Sequence, residues 1–360
     1  MNLDFRKSIY LLAVIFILWG CNERNCDKDF FCNKTKIDYK LLIRENQLQD
    51  PWDILLLDST LVVANEKGEP LLETYTLEGS RLTSFLSKGN GPKEILMIGN
   101  LQKSIQKKKL LVYDLFKKKF MQYDLGSTSH EVKLDTTFNY LKQLEDSIVI
   151  FDKLFITKNY IIGESRSPEG RIALMNQDGS LIRYGGEYPR KTETKISDFE
   201  NANLYASGIT VKKDGSMLAL ATYTAGMIDV YSIKNNSIIL NWNYHEFLPE
   251  HLYIIEMGET FRAAITDETR YGYADIESTD KLVYALYSGR KVKEKDYSFG
   301  SIIRIFDWNG SIGLELHSDI NLRRITVSED NQYIYAIAKD KDDFTCVVVF
   351  YIGDIIKDLI

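Results

Sequence analysis

One local pattern recurs along this chain and restricts its fold more than any other feature. An aromatic residue, one intervening residue and a large apolar residue end a strand-like run, and a tight turn follows. It reads Tyr75-Thr76-Leu77 before Glu78-Gly79-Ser80, Tyr123-Asp124-Leu125 before Gly126-Ser127, and Tyr231-Ser232-Ile233 before Asn235-Asn236-Ser237. It returns as Phe306-Asp307-Trp308 before Asn309-Gly310-Ser311, and as Phe350-Tyr351-Ile352 near the C-terminus. A sixth copy, RIALMNQDGS, keeps the turn at Asp178-Gly179-Ser180 and lacks the aromatic. The turn serines at 80, 127, 180, 237 and 311 return about every 50 residues, with one longer interval. Gly or Asn in these turns accepts the positive φ that short hairpins demand.

Two further strand-like runs precede each aromatic strand and one follows it. The clearest copy predicts strands over Gly208–Val211, Met217–Tyr223, Met227–Ile233 and Ser237–Trp242, with turns at Asp214-Gly215, Ala225-Gly226 and Asn235-Asn236. Four strands per repeat is the pattern of a β-propeller blade, and no amphipathic run of helical period competes with it. Six copies predict an all-β, six-bladed β-propeller with four-stranded blades over residues 37–360. The last copy lacks a fourth strand, while Lys36–Glu45 is a strand without a blade. The N-terminal strand is therefore expected to complete the last blade and close the ring. Two segments break the period: Asn243–Arg270 between blades four and five, and Gly289–Tyr297 inside blade five. Links between blades and second-to-third strand loops share one propeller face, so both enlarge that face, where function usually sits.

The N-terminus carries a different signal. Arg6 and Lys7 precede the apolar run Ile9–Trp19, which is shorter than the about 20 residues needed to span a bilayer and fits a signal sequence. Its end, Leu18-Trp19-Gly20-Cys21, resembles the lipobox of bacterial lipoproteins. That resemblance implies a signal peptide over 1–20, lipidation of Cys21, and a lipidated tether over 21–36. More than one acyl chain gives stable anchoring. Outside the cytoplasm a Cys26–Cys32 disulfide is open as a possibility, and Cys346 in FTCVVVFYI is expected as a buried apolar side chain. The net charge of −6 argues against a nucleic-acid partner.

The stretch SKGNGPKEI, Ser87–Ile95, has the look of a phosphate cradle. A P-loop would open a helix, however, and here Pro92 lacks an N–H and Glu94 would repel an anion. It is read as a link between blades. Together with ASGITVKKDGSMLALATYTAG, YGYADIESTDKLVYALYSGR and IRIFDWNGS, it resembles the TolB-like six-bladed propeller lipoproteins of Gram-negative bacteria. The resemblance covers essentially the whole mature chain. It implies the fold and an envelope location, with no assigned activity, and the lipid anchor is expected on the outer membrane.

Motifs for catalysis are sparse. There is no G-x-S-x-G elbow, and His130, His245, His251 and His317 are scattered. Lys107-Lys108-Lys109 and Lys117-Lys118-Lys119 flank a single strand and are read as solvated turns. The expectation is a non-enzymatic binding or scaffolding module, monomeric and without a cofactor, that meets a protein or glycan partner through the loop-rich face. Lys93, Glu94, Tyr271, Tyr273, Tyr287 and Arg290 are the candidate binding residues, an aromatic and arginine set of the kind interfaces favour. The alternative is a lactonase-like hydrolase with Ca²⁺ at the mouth of the central channel. Hard oxygen ligands suit that ion, and Glu94, Glu200, Asn201 and Asp275 are the candidates.

Overall fold

A computed structural model describes residues 30–31, 33–106, 108–126, 132–138, 151–189, 196–257 and 260–357. Cys21, Cys26, Cys32, Lys107 and His130 lie outside the described residues.

Strands β1 (Asn33–Ile37) and β2 (Tyr39–Ile43) lead the chain. Blade 1 is β3 (Pro51–Leu57), β4 (Thr60–Asn65), β5 (Leu72–Thr76) and β6 (Arg81–Phe85). Blade 2 is β7 (Ile98–Lys103), β8 (Lys109–Asp114), β9 (Lys119–Asp124) and β10 (Lys133–Phe138). Blade 3 is β11 (Leu154–Ile156), β12 (Ile161–Ser167), β13 (Gly170–Met175) and β14 (Leu181–Gly185). A short helix α1 (Asp198–Leu204), capped by the Ser197 hydroxyl, precedes blade 4. That blade is β15 (Ser207–Val211), β16 (Met217–Thr222), β17 (Met227–Lys234) and β18 (Ser237–His245). A separate hairpin, β19 (Leu252–Met257) and β20 (Thr260–Ile265), fills the predicted insertion.

Blades 5 and 6 share a strand. Blade 5 runs β21 (Tyr273–Ser278), β22 (Leu282–Tyr287), β23 (Gly300–Asp307) and the first half of β24 (Gly313–Val327). The second half of β24 is the inner strand of blade 6, followed by β25 (Tyr333–Lys339) and β26 (Thr345–Tyr351). A turn of helix, α2 (Gly353–Lys357), follows where no strand was expected.

The ring closes as predicted: β2 pairs antiparallel with β26 and is the outer strand of blade 6. The predicted single strand Lys36–Glu45 is in fact two. At Asp38 the chain changes partner, and β1 before it runs parallel to β24 on the outside of blade 5. Sheet pairing among the described residues therefore begins at Asn33, within the segment read as a tether. Phe31 is already buried in the core between blades 4 and 5.

Apolar side chains alternate between the two neighbours of each blade. In blade 1, Leu55, Val62 and Ala64 face blade 2, whereas Ile54, Leu61 and Val63 face blade 6. Both faces are buried, so runs such as DILLL and LVVA are apolar without a polar side. Six such cores lie between successive blades. The repeat aromatics Tyr75, Tyr123, Tyr231, Phe306 and Phe350 are all buried in them.

The inner strands are clipped across the seams by side chains that meet otherwise unpaired backbone groups. Asn100 and Gln102 accept the amides of Leu154 and Ile156, and Gln102 donates back to the Ile156 carbonyl at 2.6 Å. Glu164 accepts the Ser207 amide, Asp275 accepts that of Ile325 at 3.0 Å, and Thr326 accepts that of Leu56 at 2.9 Å.

Candidate functional site

The inner strands of the six blades surround a central channel. Four inner strands carry a register shift, each just before a polar residue. The shifts fall between Pro51 and Asp53, Ile98 and Asn100, Tyr273 and Asp275, and Leu322 and Arg324. A β-bulge bends a strand locally and re-aims the side chain that follows it, and bulges concentrate near functional sites. The four bulges place Asp53, Asn100, Asp275 and Arg324 at equivalent points of blades 1, 2, 5 and 6.

A cavity of about 220 Å³ is lined by Asp53, Asn100, Lys153, Asp275 and Glu277, and reaches Lys103, Lys212, Lys213, Asp280 and Glu329 at its mouth. The mouth lies at the first-to-second strand turns, on the face opposite the long loops. Lys103 and Lys213 approach the same Glu329 oxygen at 3.8 and 3.5 Å, so blades 2 and 4 reach toward blade 6 across the opening. Inside, Lys153 Nζ stands 3.6 Å from Asp275 Oδ1. Burial raises the Asp53 carboxyl above its ordinary range, opposed by Lys153 and Arg324. Burial also pushes Glu277 up to about 7, opposed by Lys103.

Toward the loop-rich face, the rings of Tyr223 and Tyr271 stack at 6.4 Å. Arg324, Glu164, Asp152 and Asp275, from blades 3, 5 and 6, all bear electrostatically on Tyr223, which places it near the axis. Glu164 is pushed up to about 7 by burial, and Asp152 pairs with Arg166.

The expected binding residues do not form one surface. Tyr273 and Tyr287 are buried and enclose Arg304. Its guanidinium donates to the Tyr273 hydroxyl at 3.0 Å, lies 3.6 Å from the centre of the Tyr287 ring, and pairs with Glu315 and Glu246. They are core residues because an arginine buried between blades 4 and 5 needs its donors and charge met. Arg290 is spent within the protein, donating to the Asp296 carbonyl of its own loop and to Asn321 on β24. Tyr271 belongs to the channel end. Lys93 is exposed on the link after blade 1.

The proposed calcium ligands are likewise apart. Glu94 accepts the Gly91 amide at 2.7 Å, Glu200 lies in the first turn of α1, Asn201 is buried behind it, and Asp275 accepts the Ile325 amide through one oxygen with Lys153 Nζ 3.6 Å from the other. Among the described residues no group of three or more His, Cys, Asp or Glu side chains could share a metal ion. His245 bonds Asp229 and His317 bonds Glu315. Cys346 is a buried free thiol.

The link Ser87–Ile95 turns its carbonyls, not its amides, to a charge. Lys117 Nζ donates to the carbonyls of Gly89, Gly91 and Glu94 at 2.7, 3.2 and 2.9 Å, and Lys119 approaches those of Pro92 and Glu94. The reading of Lys117 and Lys119 as solvated is corrected: both ammonium groups are held by a loop of acceptors.

Tyr253, 63% exposed, and Ile255 point outward from the β19–β20 hairpin. Leu252, Ile254 and Ala263 seat its other side on a small core under the loops with Leu204, Ala225 and Met227. Phe199 of α1 is also exposed.

The model of the TolB-like 6-blade propeller-like family matches residues 29–330. The chain belongs to that family. Among solved structures, a member of the DUF4221 family from Bacteroides vulgatus aligns with a TM-score of 0.55 at 10% identity, covering 88% of this chain and 98% of that one. A Bacteroides fragilis protein described as exported aligns at 0.52 and 11% identity, covering 88% and 98%. At these identities the likeness is one of fold. No curated protein matches the chain. This TolB-like propeller has, among its described residues, no helix long and apolar enough to cross a membrane.

Sequence reasoning did not find Asp53, Asn100, Lys153, Glu277 and Arg324. A faint signal existed in PWDILLL, IGNLQK and YADIES, where one polar residue interrupts an apolar inner strand at the same place.

Proposed function

We propose that this TolB-like propeller is a lipid-anchored envelope protein that binds a partner without catalysing a reaction on it, through the loop-rich face. The observation that carries this reading is the β19–β20 hairpin. It lies outside the blade sheets, is held on one side by apolar packing, and presents Tyr253 and Ile255 to solvent beside Phe199. Exposed apolar groups on a rigid ring are what a docking face offers. The lipobox-like Leu18–Cys21 supports the anchor and an outer-membrane location. The partner is a protein or a glycan in the envelope.

A photo-crosslinking residue in place of Tyr253, in cells, should give one discrete adduct that the same residue at Tyr333 on blade 6 does not. Identical patterns at both positions would remove the reading. A fatty-acid label should mark the wild type and not Cys21→Ser. The hydrolase alternative requires stoichiometric calcium whose chelation lowers thermal stability, and the scattered Glu94, Glu200, Asn201 and Asp275 give it little support.

A further inference from the structure

The second place where the molecule offers unspent binding capacity is the channel, remote from the hairpin and opening on the opposite face. With every carboxylate ionised, its charges balance. Asp53, Asp275 and Glu277 inside are matched by Lys153, Arg324 and Lys103, and Asp280 and Glu329 at the mouth by Lys212 and Lys213. A net ionic ligand would upset that balance in a region where unpaired charge is costly. The groups are not satisfied by one another, however. Asn100, 2% exposed, spends its oxygen on the Leu154 amide and leaves Nδ2 without an acceptor. Lys153 stands too far from Asp275 for a hydrogen bond. The one hydrogen bond found for the Asp53 carboxylate is from the neighbouring Ile54 amide. A buried amide donor with no partner calls for an explanation.

The Lys153 donor on blade 3 thus faces carboxylate acceptors on blades 1 and 5 across one small cavity. Leu55, Phe155, Ile209 and Ile276 supply apolar wall between them. A hydroxyl both donates and accepts, carries no charge, and sits on a carbon skeleton that suits such walls. The volume is that of about seven waters at roughly 30 Å³ each, enough for one sugar ring. We infer that the channel binds a neutral polyol of monosaccharide size, with Lys153 donating to its oxygens and Asp53 and Asp275 accepting from its hydroxyls.

The test uses the full-length protein in detergent, titrated calorimetrically with D-glucose, D-galactose, D-mannose, L-rhamnose, N-acetylglucosamine and myo-inositol. A parallel series uses the methyl glycosides and disaccharides of the same sugars. At least one compound should bind saturably. Lys153→Met and Asp53→Asn, made together so that one charge of each sign is removed, should weaken it tenfold or more, while the ligand-free melting temperature stays within a few degrees. Tighter binding of the glycosides would identify the end of a glycan as the ligand, and tighter binding of the free compounds a soluble polyol. No saturable binding by any compound, which would leave the channel as a water-filled core, overturns the inference. So does binding that both substitutions leave unchanged. Neither result bears on the Tyr253 crosslink.

Discussion

Glu164 accepts the Ser207 amide across the seam between blades 3 and 4, while its second carboxylate oxygen meets no partner. Burial is the main cause that lifts its pKa from 4.5 to about 7. The folded state therefore keeps a proton that the unfolded chain releases above about pH 4.5. Stability from this group is full below that pH and is lost as pH rises toward 7. Glu164→Gln keeps the acceptor for Ser207 and removes the charge. It should stabilise the protein at pH 8 by up to about 3 kcal/mol and leave it nearly unchanged at pH 4.5, as read by denaturant melts at both values. A lower stability at pH 8 would show that the charged form is the one the fold uses. At this scale the sequence is least legible. Tyr273 and Tyr287 look like surface aromatics beside Arg290, but the arginine they serve is Arg304, and the pairing of β21, β22 and β23 within blade 5 is what brings the three together. Channel residues were hidden for a related reason: a bulge depends on the partner strand, which no single run of residues displays.

Elements were far easier to read. Strand boundaries in blade 4 fell within a few residues of those found, because period-two burial and Gly or Asn turns are local properties. What a link does is less local. SKGNGPKEI reads as a turn, yet three of its carbonyls converge on Lys117, which arrives from the second-to-third strand turn of blade 2. Lys117→Met should cost about 2 kcal/mol, since hydrogen bonds to a charged donor are worth more than neutral ones. It should also speed amide exchange at Gly89, Gly91 and Ile95. Protection that stays at the wild-type level would mean that the glycine geometry alone sets the loop.

For the whole molecule, closure depends on few residues. Removing the chain through Ile43 would bare the edge of β26 with Val347, Val348 and Phe350, and unpaired apolar edges associate. Light scattering should then show oligomers. Removal through Ile37 alone, which takes β1 and spares β2, should leave a monomer with a lower melting temperature. Equal behaviour of the two truncations would deny β2 its part in closing the ring. Six-fold architecture was legible because the repeat imposes it, whereas the sharing of β24 by two blades was not, as Ser318, Asp319 and Asn321 at the crossing read as a turn between two strands. Because β24 passes from blade 5 to blade 6 unbroken, and β1 and β2 lie on those same two blades, the N-terminal segment is fastened twice across one seam. A mechanical pull on that segment meets β1 first. On such a pull those residues would peel away while β2 still holds the ring shut, which would make β1 a sacrificial clasp between load and closure.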